Sequence, residues 1–403
     1  MRPLLITVGS RGDVQPYLAL ALGLRAAGHR PLLAAPRRFA PLAAAHGVEF
    51  APLNDEMLGL QDTVRGQGVR AAITAAITAA RSVKPMLRRM LDDQAALTAE
   101  PADVVIYHPK SLGGPSIAEK LGVPALPGLL VPLYLPTAAF PSPILPFRVP
   151  RGLNRASWRI SGAVEAPYRG TVRGWRADKL GLRGTPRPVT ALVEAGDVLH
   201  AWSPHLLPAP ADWPAAARPT GFWSLPTGGW TPPERLARFL DDGDPPVYVG
   251  FGSSAGGDPG TLTATVLEAV RLTGRRAVLS TGWGALRPEG EPDGVLVIEE
   301  APHEWLFPRV AVAVHHGGIG TVAAALRAGV PQVVRPFLGD QPFWAGRLHR
   351  LGVAPAPVTG RLTPGRLAAA IEAAIPLAPA AGAGAARVTA EDGVATAIAR
   401  ITS

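Results

Sequence analysis

The sequence places its densest set of phosphate-capable groups in His315-His316-Gly317-Gly318-Ile319-Gly320-Thr321, after the apolar run Val310–Val314. A glycine-rich turn between a strand and a helix lets backbone N–H groups approach phosphate oxygens, and the helix dipole favours the negative charge. His315 is placed to donate a further hydrogen bond to such an anion, and the Thr321 hydroxyl another. The competing reading is a tight turn with capping residues and no ligand. Two histidines, three glycines and a threonine in seven residues favour phosphate.

Three other segments have side chains suited to chemistry. Val247-Tyr248-Val249-Gly250-Phe251-Gly252-Ser253-Ser254 is a second strand ending in a glycine-serine turn, positioned to face the same ligand, although such turns are common in α/β proteins. Gly339-Asp340-Gln341 sets a carboxylate beside a carboxamide, a pair that suits sugar hydroxyls, or else gives an ordinary N-cap at Asp340. Gly9-Ser10-Arg11-Gly12-Asp13 closes the first strand. Asp13 there is either a general base touching a substrate hydroxyl or a helix cap, and spacing alone favours the cap. Asp241-Asp242-Gly243-Asp244 precedes a strand instead of following one and reads as a solvated turn, not a metal loop. No His/Glu cluster has metal-ligand spacing, and His46, His108, His200, His205 and His349 have no recognisable partner.

The elements that must hold these residues alternate. Leu4–Val8, Pro31–Ala35 and Val104–Tyr107 read as strands. Val14 to Ala27, Phe39 to His46, Val69 to Leu97 (interrupted near Pro85) and the segment from Ile117 read as helices. From Pro124 to Trp230 the pattern loosens, with one more strand at Val198–Ala201 and a proline-rich linker from Pro204 to Pro233. A second alternation follows. Its strands are Val247–Phe251, Ala277–Ser280, Val295–Ile298, Val310–Val314 and Gln332–Arg335, and its helices are Thr261 to Leu272, Thr321 to Ala328 and Gln341 to Leu351. We expect an α/β protein with two doubly wound Rossmann-like domains and ligands beyond the carboxyl ends of their strands, in the cleft between the domains. The boundaries are 1–215 for the first domain, 216–235 for the linker, 236–385 for the second domain and 386–403 for a terminal helix. Ala378–Ala386 reads as a low-complexity loop.

Composition narrows the class. Of 403 residues, 47% are apolar and 18% charged, which is globular and not disordered. The absence of cysteine excludes disulfides, thiolate metal sites and a cysteine nucleophile, and is compatible with a cytoplasmic location. The opening apolar run is too short for a secretion signal, and the prolines between Leu121 and Phe147 forbid a membrane-spanning helix there, so we expect a soluble protein. The net charge of +9 comes from scattered arginines without interleaved aromatics, which argues against nucleic acid as the partner.

Taken together, Gly9-Ser10-Arg11-Gly12-Asp13-Val14-Gln15-Pro16, Ala301-Pro302-His303-Glu304-Trp305-Leu306-Phe307-Pro308, the His315–Thr321 turn and Pro336-Phe337-Leu338-Gly339-Asp340-Gln341-Pro342-Phe343-Trp344 resemble the ordered signature of GT-B fold glycosyltransferases of the UDP-glycosyltransferase superfamily. Within it the similarity is to sterol glucosyltransferase-like enzymes and the antibiotic glycosyltransferases of actinomycetes, over Met1 to about Val353. The resemblance implies inverting transfer of a hexose from a UDP- or TDP-sugar, with no metal and no resident cofactor. Asp13 matches the general base. His315, Gly317, Gly318, Gly320 and Thr321 match the diphosphate site, and Ser10, Gly12 and Ser253 lie near it. Pro302 and His303 match the base and ribose segment with Trp283 as an extra wall, and Asp340 and Gln341 match the sugar readers. It also implies that the last helix crosses back to the N-terminal, acceptor-binding domain. The loose, apolar Leu121–Trp230 region suggests a hydrophobic small-molecule acceptor such as a polyketide, macrolide, terpenoid or sterol-like compound. We expect no stable membrane insertion and a monomer or homodimer. Two other functions compete, a nucleotide-sugar epimerase of the same fold and a non-catalytic auxiliary binding protein.

Overall fold

A computed structural model describes residues 1–56, 69–145, 149–159, 166–196, 198–226, 228–252, 258–282 and 284–403, with the backbone alone for 69–82. The chain divides into two compact units. The first comprises Met1–Pro204, Pro208–Leu225 and Asp392–Ser403, and the second comprises His205–Leu207 and Pro226–Glu391.

The first unit is built on six parallel strands in the order β3-β2-β1-β4-β5-β6: β1 (Pro3–Ile6), β2 (Leu32–Pro36), β3 (Glu49–Leu53), β4 (Val104–Tyr107), β5 (Ala125–Leu129) and β6 (Leu199–His200). β1 lies between β2 and β4, with Leu4 opposite both Leu32 and Val105. Leu5, Ile6, Val105 and Ile106 are fully buried, as strands covered on both faces must be. Among its helices are α1 (Arg11–Ala26), α2 (Val69–Ala96), α3 (Gly114–Leu121) and α4 (Arg169–Trp175). β1 leads to β2 on one side and β4 to β5 on the other, so right-handed crossovers put α1 and α3 on opposite faces.

The second unit repeats the plan with five parallel strands in the order β11-β10-β7-β8-β9: β7 (Val247–Gly250), β8 (Ala277–Ser280), β9 (Val295–Ile298), β10 (Val312–His315) and β11 (Gln332–Val334). Alternate residues feed two cores. Val247, Val249, Val312 and Val314 pack with α5 (Pro259–Thr273), while Tyr248, Ala313 and Val278 pack with α6 (Ile319–Ala328). α7 (Gln341–Arg350) follows β11, and α8 (Pro364–Ala374) packs on α5.

Three expectations need correction. β5 was not foreseen, because Pro127 and Gly128 break its apolar pattern; it is nonetheless paired to β4 on one side and β6 on the other. Most of the stretch expected to be a linker is packed into the first unit, where Trp213, Phe222 and Trp223 are buried and large aromatic area replaces periodicity. Ala378–Ala386 is not a loop but the body of α9 (Ala378–Thr389), which packs on α6. Its glycines have a purpose, since a methyl on Gly329 would already stand 3.2 Å from the Gly382 Cα.

The last helix, α10 (Gly393–Thr402), packs against α1 within the first unit. The approach is close: a methyl on Gly393 would stand 2.5 Å from the Phe222 carbonyl oxygen, and one on Gly23 2.2 Å from Val394. Arg400 ties the helix down by donating to the carbonyls of Arg218 and Ala216. Pro364–Thr402 is the one stretch among the described residues long and apolar enough to cross a membrane, and it is divided among α8, α9 and α10.

Candidate functional site

The first unit places Asp13 at the start of α1, where the helix dipole favours a carboxylate. Gly9, at φ 126°, makes the room: a methyl there would stand 2.2 Å from Asp13 Oδ2. That oxygen accepts the Ser10 N–H at 2.8 Å and the Ser10 hydroxyl at 3.2 Å. Ser10 therefore holds a carboxylate of the protein. Gly12 lies in the first turn, and a methyl there would meet nothing closer than Ser10 Oγ at 3.9 Å.

The other oxygen, Oδ1, accepts from Lys110 Nζ at 2.7 Å and faces His108 Nε2 at 3.4 Å. Both come from the segment that follows β4, the neighbour of β1. His108 Nδ1 accepts the Lys110 backbone N–H at 3.1 Å, so Nε2 carries the proton. Burial pushes the Asp13 carboxyl up, but Lys110, His108 and the Ser10 N–H outweigh it and hold it below the usual carboxylate range. Burial pushes His108 down to about 4, with the Asp13 charge only partly opposing, so His108 is neutral near pH 7. The sequence showed no partner for His108 because 95 residues separate it from Asp13; the β1–β4 pairing supplies the contact.

In the second unit β7 and β10 are neighbours, with His315 opposite Gly250. The turn after β10 corrects an expectation. His315 is fully buried at the end of the strand, and both its ring nitrogens are engaged. Nδ1 accepts the Gly317 N–H at 3.0 Å, and Nε2 lies 2.9 Å from Gln332 Oε1 on β11. Burial pushes its pKa down to about 3. The ring shapes the turn from within and has no donor left for an anion. Gln332, a polar side chain on a buried strand, was the available signal.

The residue that faces outward is His316. Its ring rests between two glycine turns: a methyl on Gly318 would stand 2.5 Å from Nε2, and one on Gly252 3.4 Å from Cε1. His316 Nδ1 is buried with no hydrogen-bond partner among the described residues. Burial pushes its pKa down to about 4, so at neutral pH the ring carries one N–H. Gly317, at φ 92°, has Val334 where a methyl would go, and Gly318 caps α6, whose first turn holds Gly320 and Thr321. The backbone N–H groups of that turn and the dipole of α6 make an anion seat.

Gln341 lies against the same turn, its carbonyl oxygen 3.3 Å from where a Gly317 methyl would sit. Its carboxamide oxygen accepts the N–H groups of Phe337 (2.7 Å) and Leu338 (3.1 Å), so it braces the loop and only its NH₂ is left to face outward. Asp340 Oδ2 accepts the Trp344 indole N–H at 2.8 Å. After β9, Pro302 precedes a short helix that carries His303. The His303 ring stacks on Phe307 at 4.4 Å, and its Nε2 is 3.2 Å from the Tyr248 hydroxyl. Ser253 and Trp283 lie outside the described residues.

Residues 4–138 match the glycosyltransferase family 28 N-terminal domain, and residues 288–399 match the erythromycin biosynthesis protein CIII-like C-terminal domain. A sterol 3-beta-glucosyltransferase of Arabidopsis thaliana is 35% identical over 374 residues, covering 89% of this chain and 58% of that protein. The chain has the GT-B glycosyltransferase fold. A sterol 3-beta-glucosyltransferase of Neosartorya fischeri is 37% identical over 372 residues, covering 86% of this chain and 25% of that protein. The chain thus spans little more than half of the first of these relatives and a quarter of the second. The fold matches a Streptomyces sp. SF2575 glycosyltransferase solved with thymidine diphosphate at a TM-score of 0.66 and 23% identity, covering 99% of both chains.

Within this GT-B chain the second unit sets its site residues in a fixed order along one sheet edge. Asp340 and Gln341 follow β11, the His316 turn follows β10, Gly252 follows β7, and His303 follows β9 at the far edge. With strands about 4.8 Å apart, that row is roughly 19 Å long.

Proposed function

We propose that this chain is an inverting, metal-independent hexosyltransferase that uses a UDP- or TDP-sugar and a hydroxyl of an apolar small molecule. The observation that supports it best is the row along the second sheet. A carboxylate–carboxamide pair, an anion seat and an aromatic–imidazole stack occur there in the order sugar, diphosphate, nucleoside. The second unit would bind this donor and the first the acceptor, a polyketide, macrolide, terpenoid or sterol-like compound. Lack of cysteine fits a cytoplasmic enzyme working as monomer or homodimer.

The acceptor hydroxyl gives its proton to Asp13 as its oxygen bonds to the anomeric carbon. The bond from that carbon to the diphosphate breaks on the opposite face, and its electron pair leaves with the diphosphate. Fixed donors aimed at this developing charge lower the barrier without reorganisation. His316, the Gly318 N–H and the α6 dipole supply them, and His315 holds the turn in shape by accepting the Gly317 N–H. On the acceptor side Lys110 must leave Oδ1 for a hydroxyl to reach it. Burial then raises the basicity of Asp13 at the moment a base is needed.

Calorimetric titration with UDP, TDP and their hexoses, with and without EDTA, tests the donor assignment. We expect binding that the chelator does not change. A chain that binds neither nucleotide, or that releases an epimerised free sugar in place of a glycoside, overturns the reading.

A further inference from the structure

The first unit contains a cavity of about 270 Å³ on the α3–α4 side of its sheet. It involves none of the groups that hold Asp13 directly. Its floor is apolar and shielded: Pro109 and Pro115 are buried, and Val172 and Val189 are 7% and 8% exposed. Its rim is cationic, formed by the exposed Arg169 on α4 and Arg187 on the segment leading to Val189. Arg187 donates to the Ala191 carbonyl at 3.3 Å, which fixes the guanidinium at the rim.

The charge around this rim is lopsided. Residues 149–187 contain nine arginines and lysines against Glu165 and Asp178, a surplus of seven within a chain total of +9. Asp178 is committed to Arg88 at 3.1 Å, and Glu119 on α3 to the buried Arg176 at 2.9 Å. Among the described residues nothing acidic lines the cavity. An apolar floor under two cations favours a ligand with an apolar body and an anionic end.

Volume sets its size. A cavity of about 150 Å³ accepts benzene, so one of about 270 Å³ seats about two fused rings and not a whole sterol nucleus or macrolide. Position connects it to the proposed chemistry. Pro109 forms its wall, and the residues on either side, His108 and Lys110, are the two that grip Asp13 Oδ1.

We propose that this cavity seats a one- or two-ring apolar carboxylic acid portion of the acceptor, with the carboxylate between Arg169 and Arg187. The inference rests on the glycosyltransferase reading for the word acceptor, but not for the binding itself. A carboxylate at the rim leaves a ring hydroxyl to be presented past Pro109 towards Asp13.

The probe is 6-hydroxy-2-naphthoic acid, with 2-naphthol as its uncharged counterpart, titrated into the full chain by calorimetry. We expect the acid to bind at least about tenfold more tightly, the scale of a hydrogen bond to a charged group. Arg169→Met with Arg187→Met, both at exposed positions, removes that preference and leaves naphthol binding unchanged. Val172→Phe fills the cavity and weakens both ligands while nucleotide binding holds, which shows the second unit intact. Equal binding of acid and naphthol, or undiminished binding to a folded Val172→Phe protein, overturns the proposal. Binding as expected with no transfer from any UDP- or TDP-sugar leaves the cavity assignment standing and sinks the transferase reading. Transfer to other acceptors that ignores Val172→Phe does the reverse.

Discussion

The two glycine turns share a scaffold and use it in opposite ways. Each follows a buried parallel strand and opens a helix, so each favours negative charge. At residues 9–13 the protein supplies the anion itself. Gly9 makes space for Asp13, Ser10 fills one carboxylate oxygen, and Lys110 and His108 face the other. At residues 315–318 the inward histidine is used up in shaping the turn, and the outward one keeps a ring nitrogen with no partner among the described residues. The side chain three places into the helix decides the difference. Asp13 there turns a phosphate-type seat into a buried base, whereas Thr321 leaves the seat to an outside anion.

The comparison can be broken most forcefully at its acid. Asp13→Asn keeps the Ser10 contacts but removes the proton acceptor, and should lower kcat by about 10²–10⁴ with nucleotide affinity unchanged. An Asp13→Asn enzyme with normal turnover would remove the base from the account. Next in size is His316→Ala, expected to cost about 10²–10³ in kcat and to weaken UDP or TDP binding, as loss of one preorganised donor does. His315→Ala separates shaping from contact. It should cost about 2–4 kcal/mol of stability in denaturant melts, through a cavity and an orphaned Gln332. A His315→Ala protein as stable as its parent would return that ring to the ligand.

Smaller, and sharper, is the pH dependence. Asp13 has a lowered pKa, so it is ionised above its folded value, and kcat/KM should fall only as pH drops below the ordinary carboxylate range. Lys110→Met deletes a charge and a hydrogen bond that hold the pKa down, and leaves burial, which raises it. The acid limb of the profile should move to higher pH, and a limb that does not move would detach Lys110 from the base. Last comes Gly393→Ala, which touches neither turn. Overpacking against Phe222 should cost about 1–3 kcal/mol with kcat intact.

Nine of the eleven strands among the described residues, β1, β2, β4 and β6 to β11, were legible as short runs dominated by apolar residues. β3 and β5 contain Pro52 and Pro127 and were not, since proline removes the pattern without preventing parallel pairing at those positions. α9 failed for another reason: alanine and glycine give no amphipathic stripe, although they let α6 come close. In the site, the turns were legible as local strings. What was not legible was their wiring. The choice between His315 and His316 depends on Gln332 across a strand pair, and the surroundings of Asp13 depend on β4 lying beside β1. Sequence neighbours show which groups are present, and sheet neighbours decide which of them are already engaged.

The packing of α10 on α1 has a temporal consequence. In chain order α1 precedes the helix that covers it by the whole of the second unit. At about 5–20 residues per second, the groove beside Gly23 waits roughly 20–75 s for its partner. The second unit can close during that wait, so of these two units the one begun first is the one finished last.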